Sequence, residues 1–450
     1  MATSAPARIQ PDLQALIAAR TAQVGIIGLG YVGLPLALTF HRAGFPVTGF
    51  DIDPVKVARL NAGESYLRHL GADAVRAARA AGRFAASADF SVLARMDAII
   101  ICVPTPLNES QEPDLSYIEA TSRAIAHTLR PGQLIVLESS TYPGTTEEVV
   151  LPILAATGLG CAPGHAAAGD YFLGYSPERE DPGNSRFATA AIPKLVAGVN
   201  PASAALAESL YAAAFQKVVR VSSPKTAEMA KILENTYRAV NIALVNELKQ
   251  LCLRMGIDIW EVIEAAATKP FGYHPFYPGP GLGGHCIPID PYYLAWKAKQ
   301  HDFTARLIFL AGQINTEMPY KVVEAVISGL NRARKSVNGA HILVLGVAYK
   351  KDIDDLRESP AVKILGLLRE LGADVAYHDP YCPRLHAGRQ NAFTLASVAF
   401  APADAAQYDC VLVATDHSGL DYAAIAACAS LLIDTRNVTR GLKAASIIRC

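Results

Sequence analysis

"VGIIGLGYVGLPLALTFHRAGFPVTGFDID", residues 24–53, decides the fold. "VGII" is an apolar run of strand length, and a helical stretch follows until Gly44 stops it. "PVTGFD" then reads as a second strand ending at Asp51. Between the first strand and the helix, Gly28, Gly30 and Gly33 spell GxGxxG. Strand, glycine turn, helix, second strand and an acid about twenty residues on are together the context of a dinucleotide-binding βαβ unit. Tyr31 and Val32 join the three glycines as expected cofactor contacts. A carboxylate at Asp51 suits the adenosine ribose and repels a 2′-phosphate, so the expected cofactor is NAD rather than NADP. Lys56, at the start of the next helix, partly offsets that repulsion.

Outward from this unit, strands alternate with helices: "DAIIICVP" near 97–104, "QLIVLES" near 133–139, "DYFLGYSPE" near 170–178 and "PKLVAGV" near 193–199. Such alternation predicts a parallel sheet covered on both faces, with the ligand beyond the carboxyl ends of its strands. Thr105, Thr141 and Glu178 fall there. From Thr226 to Gly256 the period becomes helical, through Ala230, Leu233, Tyr237, Val240, Leu244, Leu248 and Leu251. About thirty residues at 1.5 Å each span on the order of 45 Å, enough to connect two domains or to pack on a second subunit. Further helical pattern follows through "LAWKAKQ" and "TARLIFLAGQINTEMPYKVVEAVISGL". "HILVLGVAYK…SPAVKILGLLRELGADVAYHDP" then repeats the opening layout without GxGxxG, and "DCVLVAT" and "LLIDTRN" add two strands. This second unit is expected to hold something other than another dinucleotide, with Lys350, Lys351, Arg357 and Arg436 able to grip phosphates.

The expected fold class is therefore α/β, with two Rossmann-like doubly wound domains joined by a long central helix and a helical region. The expected divisions are an N-terminal tail at 1–20, a cofactor domain at 21–222, a central helical domain at 223–332 and a C-terminal αβ domain at 333–450. Lys+Arg and Asp+Glu each number 41, so net charge is zero and a nucleic-acid surface is not expected. No run is long enough to span a membrane, and the N-terminal residues lack the basic start and apolar stretch of a signal peptide. Eight scattered cysteines without a CxxC pair favour reduced thiols in a cytoplasm, with no metal site.

One cysteine stands apart. "PGPGLGGHCIPIDPYY", residues 278–293, crowds Cys286 with Gly279, Gly281, Gly283 and Gly284. Taken alone, the loop is compatible with a surface turn carrying an incidental thiol. Its company is "GLGYVGLPLA", "VPTP", "ESSTYPGTT", "YSPERE", "EMAKILENTYRAVNIALVNEL", "GPGLGGHCIPIDP", "GVAYKKDIDDLRESP" and "DTRN", in that order. From about Val24 to about Arg440 the chain resembles the UDP-glucose/GDP-mannose dehydrogenase family. The resemblance implies NAD-dependent oxidation of a nucleotide sugar's C6 alcohol to a carboxylate in two hydride transfers.

It further implies that Cys286 is the nucleophile that passes through a thiohemiacetal and a thioester. Lys231 and Asn235, four apart on one helix face, would stabilise negative charge on the C6 oxygen. Asp290 would help move protons, and Glu178 and Thr141 would handle protons and the water that opens the thioester. Lys350 and Arg436 resemble contacts to the UDP-sugar, and Arg357 one nearer NAD. Phe276 and Tyr277 would wall the sugar pocket beside Gly281 and Gly283. His285, with "PGPG" ahead and "IPIDP" behind, resembles the branch acting on N-acetylated sugars, especially UDP-N-acetylglucosamine, in surface polysaccharide precursor synthesis. UDP-N-acetylmannosamine and UDP-glucose follow as alternatives. The implied partners are a UDP-sugar and a second copy of the chain, as a homodimer or larger homo-oligomer. A simple β-hydroxyacid dehydrogenase would need neither the cysteine loop nor the second αβ domain. A non-catalytic sensor would not need Cys286, Lys231 and Asp290, and an epimerase using NAD transiently would give no net NADH.

Overall fold

The structure is a computed structural model, described for residues 12–67, 70–108, 110–161, 169–179, 189–284, 286–388, 392–442 and 446–450. His285 and residues 1–11 of the expected tail lie outside the described residues. The chain divides into two compact units, one ending at Glu234 and the other beginning at Asn235.

The first unit is built on the strands β1 (Val24–Ile27), β2 (Val47–Phe50), β3 (Phe84–Ser87), β4 (Ala98–Ile101), β5 (Leu134–Leu137), β6 (Phe172–Tyr175), β7 (Lys194–Gly198) and β8 (Val218–Arg220). Their order is β3-β2-β1-β4-β5-β6-β7-β8, which reverses between β1 and β4. Ile26, Ile100 and Val136 point into one apolar cluster, and Ile27, Ile99, Ile101, Ile135 and Leu137 into another. Side chains alternate across a strand, so each face of the sheet carries its own core, as parallel strands require.

The expected parallel run is interrupted once, because β7 lies antiparallel to β6. A parallel neighbour needs a crossover, usually helical, and the described residues linking β6 to β7 contain no α-helix. β3 and β8 escaped the sequence reading because β3, FAAS, is alanine-rich and β8, VVR, has three residues, so neither forms the apolar run that marks β1, β4 and β5. Part of the expected tail is helical. Asp12 caps Leu13–Ala18, and Leu13 and Ile17, one turn apart, are buried in the first core.

The long helix runs from Pro224 to Met255. In the second unit its remainder is joined by helices Ile259–Ala267, Asp290–Lys299 and Arg306–Arg332. The strands there are β9 (His341–Leu345), β10 (Asp374–His378), the short antiparallel pair β11 (Arg384–Leu385) and β12 (Leu395–Ala396), β13 (Cys410–Val413), β14 (Leu432–Asp434) and β15 (Ile447–Arg449). The main sheet is ordered β10-β9-β13-β14-β15 and is parallel throughout. Val322, Val326 and Leu330 of helix Arg306–Arg332 join Ile342 and Val344 in its core. Among the described residues no helix is long and apolar enough to cross a membrane.

Candidate active site

In the first unit the crevice forms where the strand order reverses. Gly28 follows β1 with φ +92°, and a Cβ there would meet the Cys102 carbonyl oxygen at 2.5 Å. Gly30 differs, because a Cβ on it would meet no atom within 4 Å. The space beside its backbone is open, and a pyrophosphate approaching the helix Gly33–Arg42 fits there. Asp51 closes the other side. Its carboxylate accepts the Leu29 N–H at 3.0 Å and the Asp53 N–H at 3.0 Å, and Lys56 Nζ lies 3.6 Å away. The acid and the lysine named from the sequence are thus an ion pair at the end of β2. These residues fit NAD.

Thr105, Thr141, Glu178 and Lys231 are all buried. Lys231 Nζ lies 3.4 Å from Glu178 Oε2, so the helix lysine and the strand-end carboxylate meet. Thr141 Oγ1 is 2.6 Å from Thr145 Oγ1, in the turn after β5. Sequence reasoning missed two carboxylates nearby. Glu138 pairs with Lys194 and accepts from Tyr211 Oη at 2.5 Å, and burial pushes its pKa up against those partners. Glu228, fully buried, binds the backbone N–H groups of Gly144 and Thr146. Its position three residues before Lys231, on the same helical face, was the available signal.

The second unit holds the thiol. Cys286 is half-buried, and its carbonyl oxygen accepts the Ile289 N–H at 3.2 Å and the Asp290 N–H at 2.8 Å. The loop thereby turns directly into helix Asp290–Lys299. The buried Asp290 carboxylate accepts from the Asn235 amide, and Arg238 donates to the Asn235 oxygen. Asn235 and Asp290, named separately from the sequence, are therefore bonded to each other.

The glycines of the loop have a concrete reason. A Cβ on Gly283 would sit 2.4 Å from Tyr349 Cβ and 3.2 Å from the Glu358 carbonyl oxygen. Gly284 N–H donates to the Arg357 carbonyl at 2.9 Å, Gly281 abuts Pro360, and Gly279 lies against Arg436 Nη1. Cys286's loop is thus moulded onto the domain carrying Lys350 and Arg436. Lys350 follows β9, and Arg436 follows β14 with its Nε 3.0 Å from Asp416. Arg357 lies in the turn before helix Pro360–Glu370, its guanidinium bonded to both Asp355 oxygens. Phe276 packs edge-on to Tyr237 with centroids 5.6 Å apart, and Tyr277 stacks on Trp260 at 5.5 Å.

The second αβ domain repeats the layout but uses its acid differently. Asp379, at the position equivalent to Asp51, accepts from the N–H groups of Val347, Ala348, Tyr381 and Cys382 and from His417. Burial works to raise its pKa, but the His417 and backbone bonds outweigh it and hold it at about 2. A carboxylate so fully engaged has little left to offer a ribose. Among the described residues no group of His, Cys, Asp and Glu is arranged to hold a metal ion.

Three family models match consecutive parts of the chain. The NAD binding domain of the UDP-glucose/GDP-mannose dehydrogenase family matches residues 22–215, its central domain 225–317 and its UDP binding domain 343–441. A UDP-N-acetyl-D-glucosamine 6-dehydrogenase of Pseudomonas aeruginosa is 36% identical over 398 residues, covering 88% of this chain and 90% of the relative. A UDP-N-acetyl-D-mannosamine dehydrogenase of Pyrococcus horikoshii is 34% identical over 397 residues, covering 88% and 89%. The solved structure of the UDP-D-ManNAc dehydrogenase from Pyrococcus horikoshii superposes with a TM-score of 0.84 at 31% identity, covering 94% of this chain and 97% of that one. The cofactor is NAD, and the chain belongs to the UDP-glucose/GDP-mannose dehydrogenase family as an NAD-dependent nucleotide-sugar 6-dehydrogenase.

Proposed function

We propose that the enzyme oxidises UDP-N-acetylglucosamine to UDP-N-acetylglucosaminuronic acid through covalent intermediates on Cys286, supplying a precursor for surface polysaccharide. The observation that supports the covalent reading is the turn at Cys286, whose carbonyl accepts the Asp290 N–H and so sets the residue one helical turn before a buried carboxylate bonded to Asn235. Gly28, Gly30, Tyr31, Val32, Gly33 and Asp51 would hold NAD, with Lys56, Thr105, Thr141 and Arg357 near it, and the bound cofactor would supply the hydride acceptor for each oxidation. Lys231 and Asn235 stabilise the C6 oxyanion as the alcohol loses its proton by way of Asp290. The Cys286 thiolate then adds to the aldehyde carbon, forming the C–S bond of a thiohemiacetal. Loss of the second hydride from that carbon leaves a thioester. Glu178 takes a proton from water as it attacks the acyl carbon, the C–S bond breaks, and Cys286 leaves as thiolate.

Lys350 and Arg436 grip the diphosphate, Phe276 and Tyr277 wall the sugar, and Gly281 and Gly283 let the loop lie close to it. The loop sequence around Cys286 and the 36% identity to a UDP-N-acetyl-D-glucosamine 6-dehydrogenase support the acetamido sugar. The relative named for mannosamine is nearly as similar, so UDP-N-acetylmannosamine is the second reading.

The test is a panel of UDP-sugars scored for NADH yield and kcat/KM, in wild type and Cys286→Ala. The expected result is two NADH per UDP-N-acetylglucosamine, weaker use of UDP-N-acetylgalactosamine, and no acid from Cys286→Ala. A clear preference for UDP-glucose over every acetamido sugar would sink the substrate assignment. Two NADH per sugar from Cys286→Ala would sink the covalent mechanism.

The quaternary proposal rests on the long helix. Leu233, Tyr237, Leu244, Leu248 and Leu251, the stripe that gives it its helical period, are 38–59% exposed. A contiguous apolar stripe of this kind suits a second copy of the chain, in a homodimer or larger assembly.

A further inference from the structure

We propose that Glu228 is a positioning residue that sets the Thr141 turn in register with Lys231. This deepens the function proposed above and rests on it. Glu228 and Lys231 are three residues apart on the long helix, so both side chains leave the same face. One carboxylate oxygen of Glu228 accepts the Gly144 N–H at 2.5 Å. The other accepts the Thr146 N–H at 2.9 Å and the Thr146 hydroxyl at 2.7 Å. The carboxylate is fully buried, so no water competes for these donors.

The segment it grips starts three residues after Thr141. Thr141 Oγ1 is tied to Thr145 Oγ1 at 2.6 Å, and the Thr145 hydroxyl donates to the Tyr142 carbonyl at 2.9 Å. Gly144 has φ +110°, a conformation that L side chains rarely adopt, and this turns its N–H into the Glu228 site. Three rigid contacts on one side and two threonine bonds on the other leave Thr141 little freedom. One turn further along the helix, Lys231 meets Glu178. The helix thus works as a ruler, fixing the hydroxyl assigned to the hydrolytic water against Glu178, the carboxylate assigned to the same step, by way of its partner Lys231.

If that is its purpose, loosening the turn should slow thioester opening more than either hydride transfer. The experiment is rapid-mixing kinetics of full-length wild type, Glu228→Gln and Thr146→Val with UDP-N-acetylglucosamine and NAD, together with intact-protein mass spectrometry. Glu228→Gln replaces one acceptor oxygen by an NH2 that faces an N–H. It is expected to give a fast burst of two NADH per active site and then a steady state slowed on the order of tenfold to a hundredfold. KM for the sugar should change little, and an acyl adduct should build up on Cys286. Thr146→Val removes only the hydroxyl bond and should show a smaller burst of the same kind. A Glu228→Gln enzyme without adduct, whose rates are unchanged or fall equally in burst and steady state, overturns the proposal. Should Glu228→Gln not fold, Thr146→Val without a burst overturns it equally. A wild type that does not release two NADH per sugar fails the underlying reaction instead, which separates the two outcomes.

Discussion

Asp51 accepts one backbone N–H from the glycine turn, at Leu29, and one from its own turn, at Asp53, and faces Lys56, so the cofactor's ribose meets a carboxylate already oriented and partly neutralised. Asp51→Ala should raise KM for NAD by roughly tenfold or more, since hydrogen bonds to charged groups are worth about 1.5–3 kcal/mol. It should also narrow the gap between NAD and NADP, and comparable kcat/KM values for both cofactors in the wild type would remove Asp51 from this role.

Glu228 makes a separate prediction about pH. Burial pushes its pKa up from the ordinary 4.5 to about 7, against the bonds from Gly144 and Thr146. Glu147 adds repulsion, while Lys225 is engaged by Glu147 and Glu148 at 3.6 and 3.3 Å. The folded chain then holds this proton more tightly than the unfolded one. The corresponding stability is full below pH 4.5 and is lost as pH rises to about 7, by roughly 3 kcal/mol. Thermal melts from pH 5 to 8 should show the wild type losing ground against Glu228→Gln across that window.

Asp51 was legible because strand, glycines and acid fall within thirty residues. Glu228 was not, because its partners stand more than eighty residues away and only its place on the face of Lys231 pointed to it.

At the scale of elements, two buried asparagines lock the nucleophile loop to the helices. Gly279 N–H donates to Asn246 Oδ1, Asn246 Nδ2 to Asn315 Oδ1, and Asn315 Nδ2 to the Ala239 carbonyl, each at 3.0 Å. Asn246→Ala would strand the Gly279 N–H and the Asn315 oxygen, each costing about 1–3 kcal/mol. Chemical denaturation should report a total loss of about 2–6 kcal/mol. The loss of kcat should exceed the rise in KM, because the loop carries Cys286. The long helix itself was readable to within two residues at its start and one at its end, since thirty residues of period leave little ambiguity. The alanine-rich β3, the three-residue β8 and the single reversal of direction carry no comparable signal. They are set by pairing partners far along the chain.

For the whole molecule, the exposed leucines of the long helix predict assembly. Light scattering should give at least twice the 47.8 kDa chain mass, and the double substitution Leu244→Asp/Leu251→Asp should lower it. A monomeric wild type would refute this reading. The family's order of parts was legible from end to end, whereas the contacts joining the cysteine loop to the last domain were not.

Those contacts bear on how such enzymes can be recombined. A crossover at residue 333, where the sequence pattern suggests a seam, would part Gly279 from Arg436, Gly281 from Pro360, Gly283 from Tyr349 and Gly284 from Arg357. A chimera that imports a new nucleotide-binding domain must therefore import the matching nucleophile loop with it. Loop and domain would have to be exchanged as a single cassette, although some sixty residues of helix and linker separate them in the chain.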